Sequence, residues 1–256
     1  MNVRFLLVPG LFITLSCALP AASITGSFSI DGSVTVSLNS MSWTDNSSVA
    51  NMYVVGPPTA SGSWATLPLN SEGTVQTLNL SSEPVGGTIP AFNLPDFMTF
   101  PGPGPQSTIT ITLQYIYQGF EGQNAAACNP NGTPQPDQVC TPLDGAGTPG
   151  PFNLQNSASG TTSSATWTFL GTAVDSSGTL SPTQIIGQYS ANFKTPYQTV
   201  LQQLAANGSV TNTYAATWTA QAASTVPEPD SMQLFGIGLG LCAAAVVFRR
   251  VKHARS

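Results

Sequence analysis

The sequence predicts an all-β fold: a single antiparallel β-sandwich or jelly-roll-like domain with one short helix, followed by a C-terminal transmembrane helix. Three observations carry this. Apolar residues alternate with Ser and Thr over most of residues 24–225, the period-two pattern of half-buried strands. Gly (24) and Pro (21) punctuate these runs, and short strands between such turns suit sandwiches and jelly rolls. Charged residues are only 7% of the 256, against about 25% in ordinary soluble domains, so hydroxyls and amides must solvate the surface.

The elements follow in chain order. Arg4 precedes an apolar run from Phe5 to Leu19, and the small residues Ala21, Ala22 and Ser23 come next. This reads as a signal peptide over residues 1–23, cleaved after Ser23 or Ala22. Phe28, Ile30, Val34, Val36 and Leu38 then alternate around Asp31-Gly32. A hairpin with a three-residue loop at that dipeptide sets all five on one face. Ile109, Ile111, Leu113, Tyr115 and Tyr117 make the cleanest strand, and further strands are expected over 52–55, 75–80, 165–174, 185–193 and 210–220. Thr195-Pro196-Tyr197-Gln198 supplies an N-cap, a proline at the first helical position and a glutamine at the capping-box position. Tyr197, Val200, Leu201 and Leu204 fall on one stripe, and Asn207-Gly208 closes the turn. A helix over 196–207 is therefore expected to bridge two strands and cover an open edge or end of the sandwich. Two proline-rich stretches, 84–105 and 128–151, read as loops. No repeat or linker divides residues 24–225, which form one domain.

Charge and histidine content narrow the chemistry. Between residues 24 and 226, Lys194 is the one base against nine acids. A phosphate backbone needs clusters of Lys and Arg, so nucleic-acid binding is excluded. The sole histidine is His253, beyond the apolar C-terminal run. The exported part thus has no Ser-His-Asp or Cys-His catalysis and no His-ligated metal. Carboxylate chemistry survives, yet the acids are scattered, and Asp31, Asp144 and Asp175 sit beside glycines as turn residues do. The reading is no catalytic residue, no cofactor and no metal ligand.

Cys17 belongs to the signal and Cys242 to the apolar C-terminal run, leaving Cys128 and Cys140. An oxidising compartment predicts a Cys128–Cys140 disulfide; a metal pair is the rival, without a histidine to complete it. Trp167 and Trp218 lie in strands and read as core. Trp43 and Trp64, beside Asn-, Ser- and Gly-rich turns, are the better candidates for an exposed sugar-stacking platform.

Residues 231–248 carry no charge; at about 1.5 Å rise per residue they reach roughly 27 Å, enough to span a hydrocarbon core. Arg249, Arg250, Lys252 and Arg255 follow at once, and such clusters stay in the cytoplasm. Immediately before the span stand Pro227, Glu228 and Pro229. This ordered triple of Pro-Glu-Pro, one apolar helix and a basic terminus resembles the PEP-CTERM sorting signal of Gram-negative bacteria, over about residues 226–255. The resemblance implies recognition of Pro227, Glu228 and Pro229 by an exosortase, a membrane-embedded cysteine-type transpeptidase or protease. It also implies anchoring in the inner membrane before processing, and export linked to exopolysaccharide and biofilm. The expected organisation is a signal peptide (1–23), an exported domain (24–225) and a sorting signal (226–256). That signal comprises the motif (226–229), the span (231–248) and the basic tail (249–256). The expected function is a non-catalytic cell-surface or extracellular-matrix protein. A carbohydrate-binding module or adhesin comes second, and a carboxylate-based glycosidase third.

Overall fold

Fourteen strands and one α-helix make up the domain in the computed structural model, which describes residues 21–119, 128–143 and 147–221. Most of the expected signal peptide, the sorting motif Pro227-Glu228-Pro229, the span over 231–248 and the basic residues Arg249, Arg250, Lys252 and Arg255 lie outside the described residues. Among the described residues no helix is long and apolar enough to cross a membrane. The strands are β1 (Ala22–Ser23), β2 (Ser27–Ser37), β3 (Ser40–Thr44), β4 (Met52–Gly56), β5 (Glu72–Val75), β6 (Leu78–Asn79) and β7 (Leu94–Thr99). They continue as β8 (Ile109–Ile116), β9 (Val139–Cys140), β10 (Asn153–Asn156), β11 (Ser163–Asp175), β12 (Leu180–Ser181), β13 (Thr183–Phe193) and β14 (Ser209–Ala220). Helix α1 spans Tyr197–Asn207.

The mostly-β expectation, with a single short helix, holds. The main sheet is one hydrogen-bonded ring in the order β13-β14-β2-β4-β5-β7-β8-β11, and β11 pairs back to β13. Every contact around the ring is antiparallel. Closure leaves no free edge along that path. The ring is not uniform from end to end. Toward residue 37, β2 exchanges β4 for β3, which in turn pairs with β6. Toward residue 163, β11 exchanges β8 for β10, which pairs with β9. The barrel-like sheet is therefore closed at one pole and splayed at the other.

Two expectations about local structure are corrected. Asp31-Gly32 is not a hairpin: β2 runs straight through it, paired with β14 from Ser27↔Thr219 to Ser37↔Ser209. The alternation already allowed this, because Phe28, Ile30, Val34 and Val36 share a face in an unbroken strand and Gly32 fills the missing inward position. The stretch 84–105 is not loop throughout, since Leu94–Thr99 forms β7. Pro95 and Asp96 fall where the β7–β8 register shifts, the place where a sheet tolerates a residue with no N–H to donate.

Glycines facing aromatic rings let this interior close. Gly32 pairs with Tyr214, Gly73 with Tyr53 and Gly187 with Trp218. A Cβ on Gly187 would lie 2.5 Å from Trp218 Cε2, and one on Gly32 would lie 3.2 Å from Tyr214 Cε1. Each ring lies over the opposing backbone, which only a residue without a side chain permits. The outcome is a continuous aromatic core. Trp218 lies parallel to Phe28 at 6.5 Å, edge-on to Tyr189 at 5.9 Å, and donates its indole N–H to the Tyr189 hydroxyl at 3.1 Å.

Candidate functional site

Both tryptophans expected at the surface are interior. Trp43, on β3, is 1% exposed, and its ring meets Tyr214 at 5.3 Å and Tyr189 at 5.4 Å. Its indole N–H donates to the Gln76 carbonyl at 3.1 Å. Trp64 closes a 3-10 turn (Gly62–Trp64) that folds it over the closed pole against Phe28 at 5.1 Å, and it is 0% exposed. The polar residues around them in sequence belong to turns, whereas the alternation of β3 points the Trp43 ring inward.

Asp175 and Asp45 shape turns, whereas Asp31, expected in a turn, lies mid-strand in β2 and accepts the Asn46 side-chain amide at 3.0 Å, and Asp144 lies outside the described residues. The Asp175 carboxylate accepts the Thr108 hydroxyl at 2.6 Å, the Ser177 hydroxyl at 2.7 Å, the Thr179 hydroxyl at 2.7 Å and the backbone N–H groups of Ser177, Thr179 and Leu180. These donors, the Thr108 hydroxyl first among them, hold its pKa well below the usual carboxylate range. Asp45 Oδ1 accepts the N–H groups of Ser47 and Val49 at 2.9 and 2.7 Å, the signature of a side chain shaping its own turn. Among the described residues no group of three or more His, Cys, Asp or Glu is placed to hold a metal.

The two cysteines meet. Cys128 and Cys140 form a disulfide with sulfurs 2.01 Å apart. It closes the second proline-rich stretch on itself, from its first residue to β9, a two-residue strand within that stretch where only loop was expected, at the splayed pole.

That pole also holds a cavity of about 470 Å³. Its floor is set by the β11–β13 ladder. Going toward the splay, the inward pairs are Phe169↔Gly187, Trp167↔Tyr189 and then Ala165↔Ala191. Aromatic filling stops at Trp167, which stacks on Tyr189 at 5.2 Å, and two facing alanines leave the next layer vacant. Val34 and Val36 of β2 form one wall, Phe152 of the disulfide-bearing loop another, and Leu201 and Leu204 of α1 the lid. Among the described residues no charged side chain lines it.

The lid is anchored differently from the sequence expectation. Thr195 does not cap α1; Pro196 holds the N-cap position without a side-chain cap bond. Instead Asn156 of β10, fully buried, accepts the Tyr197 N–H at 3.0 Å and donates to Gln198 Oε1 at 3.2 Å. Gln198 in turn donates to Gln138 Oε1 at 2.7 Å. The other end follows the expectation: Gly208 adopts φ +75° and returns its N–H to the Leu204 carbonyl at 2.9 Å. The cavity was not legible in the sequence, since Ala165 and Ala191 sit in ordinary alternating strands and nothing local marks them as facing one another.

The chain enters and leaves the domain at the closed pole. Ala220 N–H bonds the Gly26 carbonyl at 2.9 Å, and Gln221 N–H bonds the Gln184 carbonyl at 2.8 Å. Compared with protein-family models, curated proteins and solved structures, the chain matches none.

Proposed function

We propose that this protein is an exported, non-catalytic surface or matrix component. In this reading the domain over 24–225 is a single sandwich-like ectodomain, held at the inner membrane by a span over 231–248 with Arg249, Arg250, Lys252 and Arg255 in the cytoplasm. An exosortase acts at Pro227, Glu228 and Pro229, and the product joins an exopolysaccharide-associated matrix. The single observation supporting this most is the placement of Gly26 and Ala220 side by side at the closed pole. A domain tethered there presents its far pole away from the bilayer. The outer face adds support: cross-strand hydroxyls such as Thr35–Thr211 at 2.7 Å and Thr74–Thr99 at 2.6 Å make a neutral, hydroxylated surface.

A carbohydrate-binding module is the second reading. Tyr115 and Tyr117 favour it, half-buried rings 4.9 Å apart. They meet edge to face at 82°, which offers a sugar no flat platform, and so the matrix role ranks first. Expression in hosts with and without an exosortase, followed by intact-mass measurement, tests the proposal. Loss of the chain beyond the motif only where the exosortase is present is expected. A C-terminus at Ser256 in both hosts refutes it.

A further inference from the structure

We propose that the cavity at the splayed pole is a binding site for an uncharged, mainly aliphatic chain, entering from the side opposite the domain's two ends. Size is the first argument. Small-molecule sites run from about 300 to 1,000 Å³, and an apolar cavity of about 150 Å³ takes one benzene. At about 470 Å³ this one suits a ligand roughly three times larger, on the order of sixteen to eighteen carbons.

Chemistry is the second. Ala165, Ala191, Val34 and Leu201 present carbon to the interior; of the polar liners, Asn39, Ser81 and Thr148 are exposed and belong to the mouth, half-buried Ser37 and Asn212 are hydrogen-bonded to Ser40 and Asn192, and Trp167 keeps a buried indole N–H without a partner. A sugar would lose the hydration of all its hydroxyls inside, against one unpaired donor, the Trp167 indole N–H. A phosphate or carboxylate head would find no cation among the described lining residues. Leu38, 76% exposed, and Leu143, 41% exposed, extend the apolar lining out to the rim. Large leucines facing solvent beside an apolar cavity are what a chain crossing that rim would cover.

Construction is the third. The barrel-like interior is packed with rings as far as Trp167 and Tyr189 and then stops at Ala165↔Ala191. Vacant volume costs stability, and larger residues at those two positions would remove it. The splay, the Asn156-anchored lid and the disulfide-bearing wall together keep the volume open. The last described residue, Gln221, lies at the other pole, and the deletion arm of the test below separates a foreign chain from the chain's own apolar run, 231–248, as the occupant.

The test uses the full chain in lipid nanodiscs and, as probe, hexadecanol carrying a diazirine. Labelled peptides are mapped by mass spectrometry. Expected is labelling on Phe152–Leu154 and Val200–Leu204, displaced by unlabelled hexadecanol and untouched by a soluble polysaccharide. Ala191→Phe, which fills the floor, is expected to cut that labelling at least tenfold with an unchanged melting temperature. Should Ala191→Phe fail to fold, Leu201→Ser in the half-buried lid serves instead and is expected to weaken labelling at least fivefold. Absence of label on both peptides overturns the proposal, as does full labelling in a folded Ala191→Phe protein. Labelling that emerges only after deletion of residues 231–248 also overturns it, because the chain's own apolar run would then be the occupant.

Discussion

Gly187→Ala is the smallest change that tests how the aromatic interior is built. A methyl group there would sit 2.5, 2.6 and 2.7 Å from three atoms of the Trp218 ring system. Those atoms belong to a fully buried indole, not to a flexible chain end. The ring has nowhere to retreat, with Phe97 at 6.3 Å, Phe169 at 6.5 Å and Phe28 at 6.5 Å around it. Overpacking of a filled core costs about 1–3 kcal/mol. Displacing the indole also strains its 3.1 Å bond to the Tyr189 hydroxyl, worth about 0.5–1.5 kcal/mol net. A loss of about 2–4 kcal/mol is expected, read by denaturant unfolding followed through tryptophan fluorescence. Gly178→Ala is the control. It has φ +71° and nothing within 4 Å, so only backbone strain of about 1–2 kcal/mol applies. The decisive measurement is a double-mutant cycle with Trp218→Phe. The smaller ring relieves the clash at Gly187 alone, so the pair is expected to be non-additive by about 1 kcal/mol or more, and Gly178→Ala with Trp218→Phe additive. A Gly187→Ala protein within about 0.5 kcal/mol of the parent, or an additive cycle, would refute the reasoning.

Asp175→Asn removes the carboxylate at the centre of six donor contacts. Because the folded pKa lies below the unfolded one, the stabilisation is present above about pH 4 and is lost as pH falls toward the folded value. A deficit of about 1–3 kcal/mol at pH 7 that narrows on acidification from about pH 4 toward pH 2 is expected from denaturant melts across pH; a deficit that is constant with pH counts against it. Asn156→Ala strips the lid of its anchor and leaves the Tyr197 N–H and the Gln198 Oε1 unmatched. A cost of about 2–4 kcal/mol is expected, with amide exchange in α1 accelerating more than in β14, and Asn156→Asp restoring the acceptor is expected to recover part of it.

Much of the fold was legible because strand alternation is a local property. The strands around residues 109–117, 185–193 and 210–220 fall where the pattern placed them, and α1 begins and ends within a residue of expectation. What was not legible depended on partners distant in sequence. Asp31-Gly32 reads as a turn in isolation, and only the Tyr214 ring opposite Gly32 shows why a glycine belongs in mid-strand. Trp43 and Trp64 were misplaced because turn residues beside them describe the backbone, not the direction of the ring. Thr195 looked like a cap, but the buried Asn156, some forty positions upstream, supplies the acceptor. The cavity is a missing layer of side chains, and no single strand records what its neighbour fails to provide.

The adjacency of Gly26 and Ala220 makes the domain topologically close to circular. A short bridge between residues 24 and 221 would close a small gap at little entropic expense, and new ends opened in the exposed turn at Ser177-Gly178 would leave every pairing of the ring in place. Order along the polypeptide is therefore incidental to the architecture, and the same barrel-like body can be carried as an insert within another protein as readily as at the end of a tether.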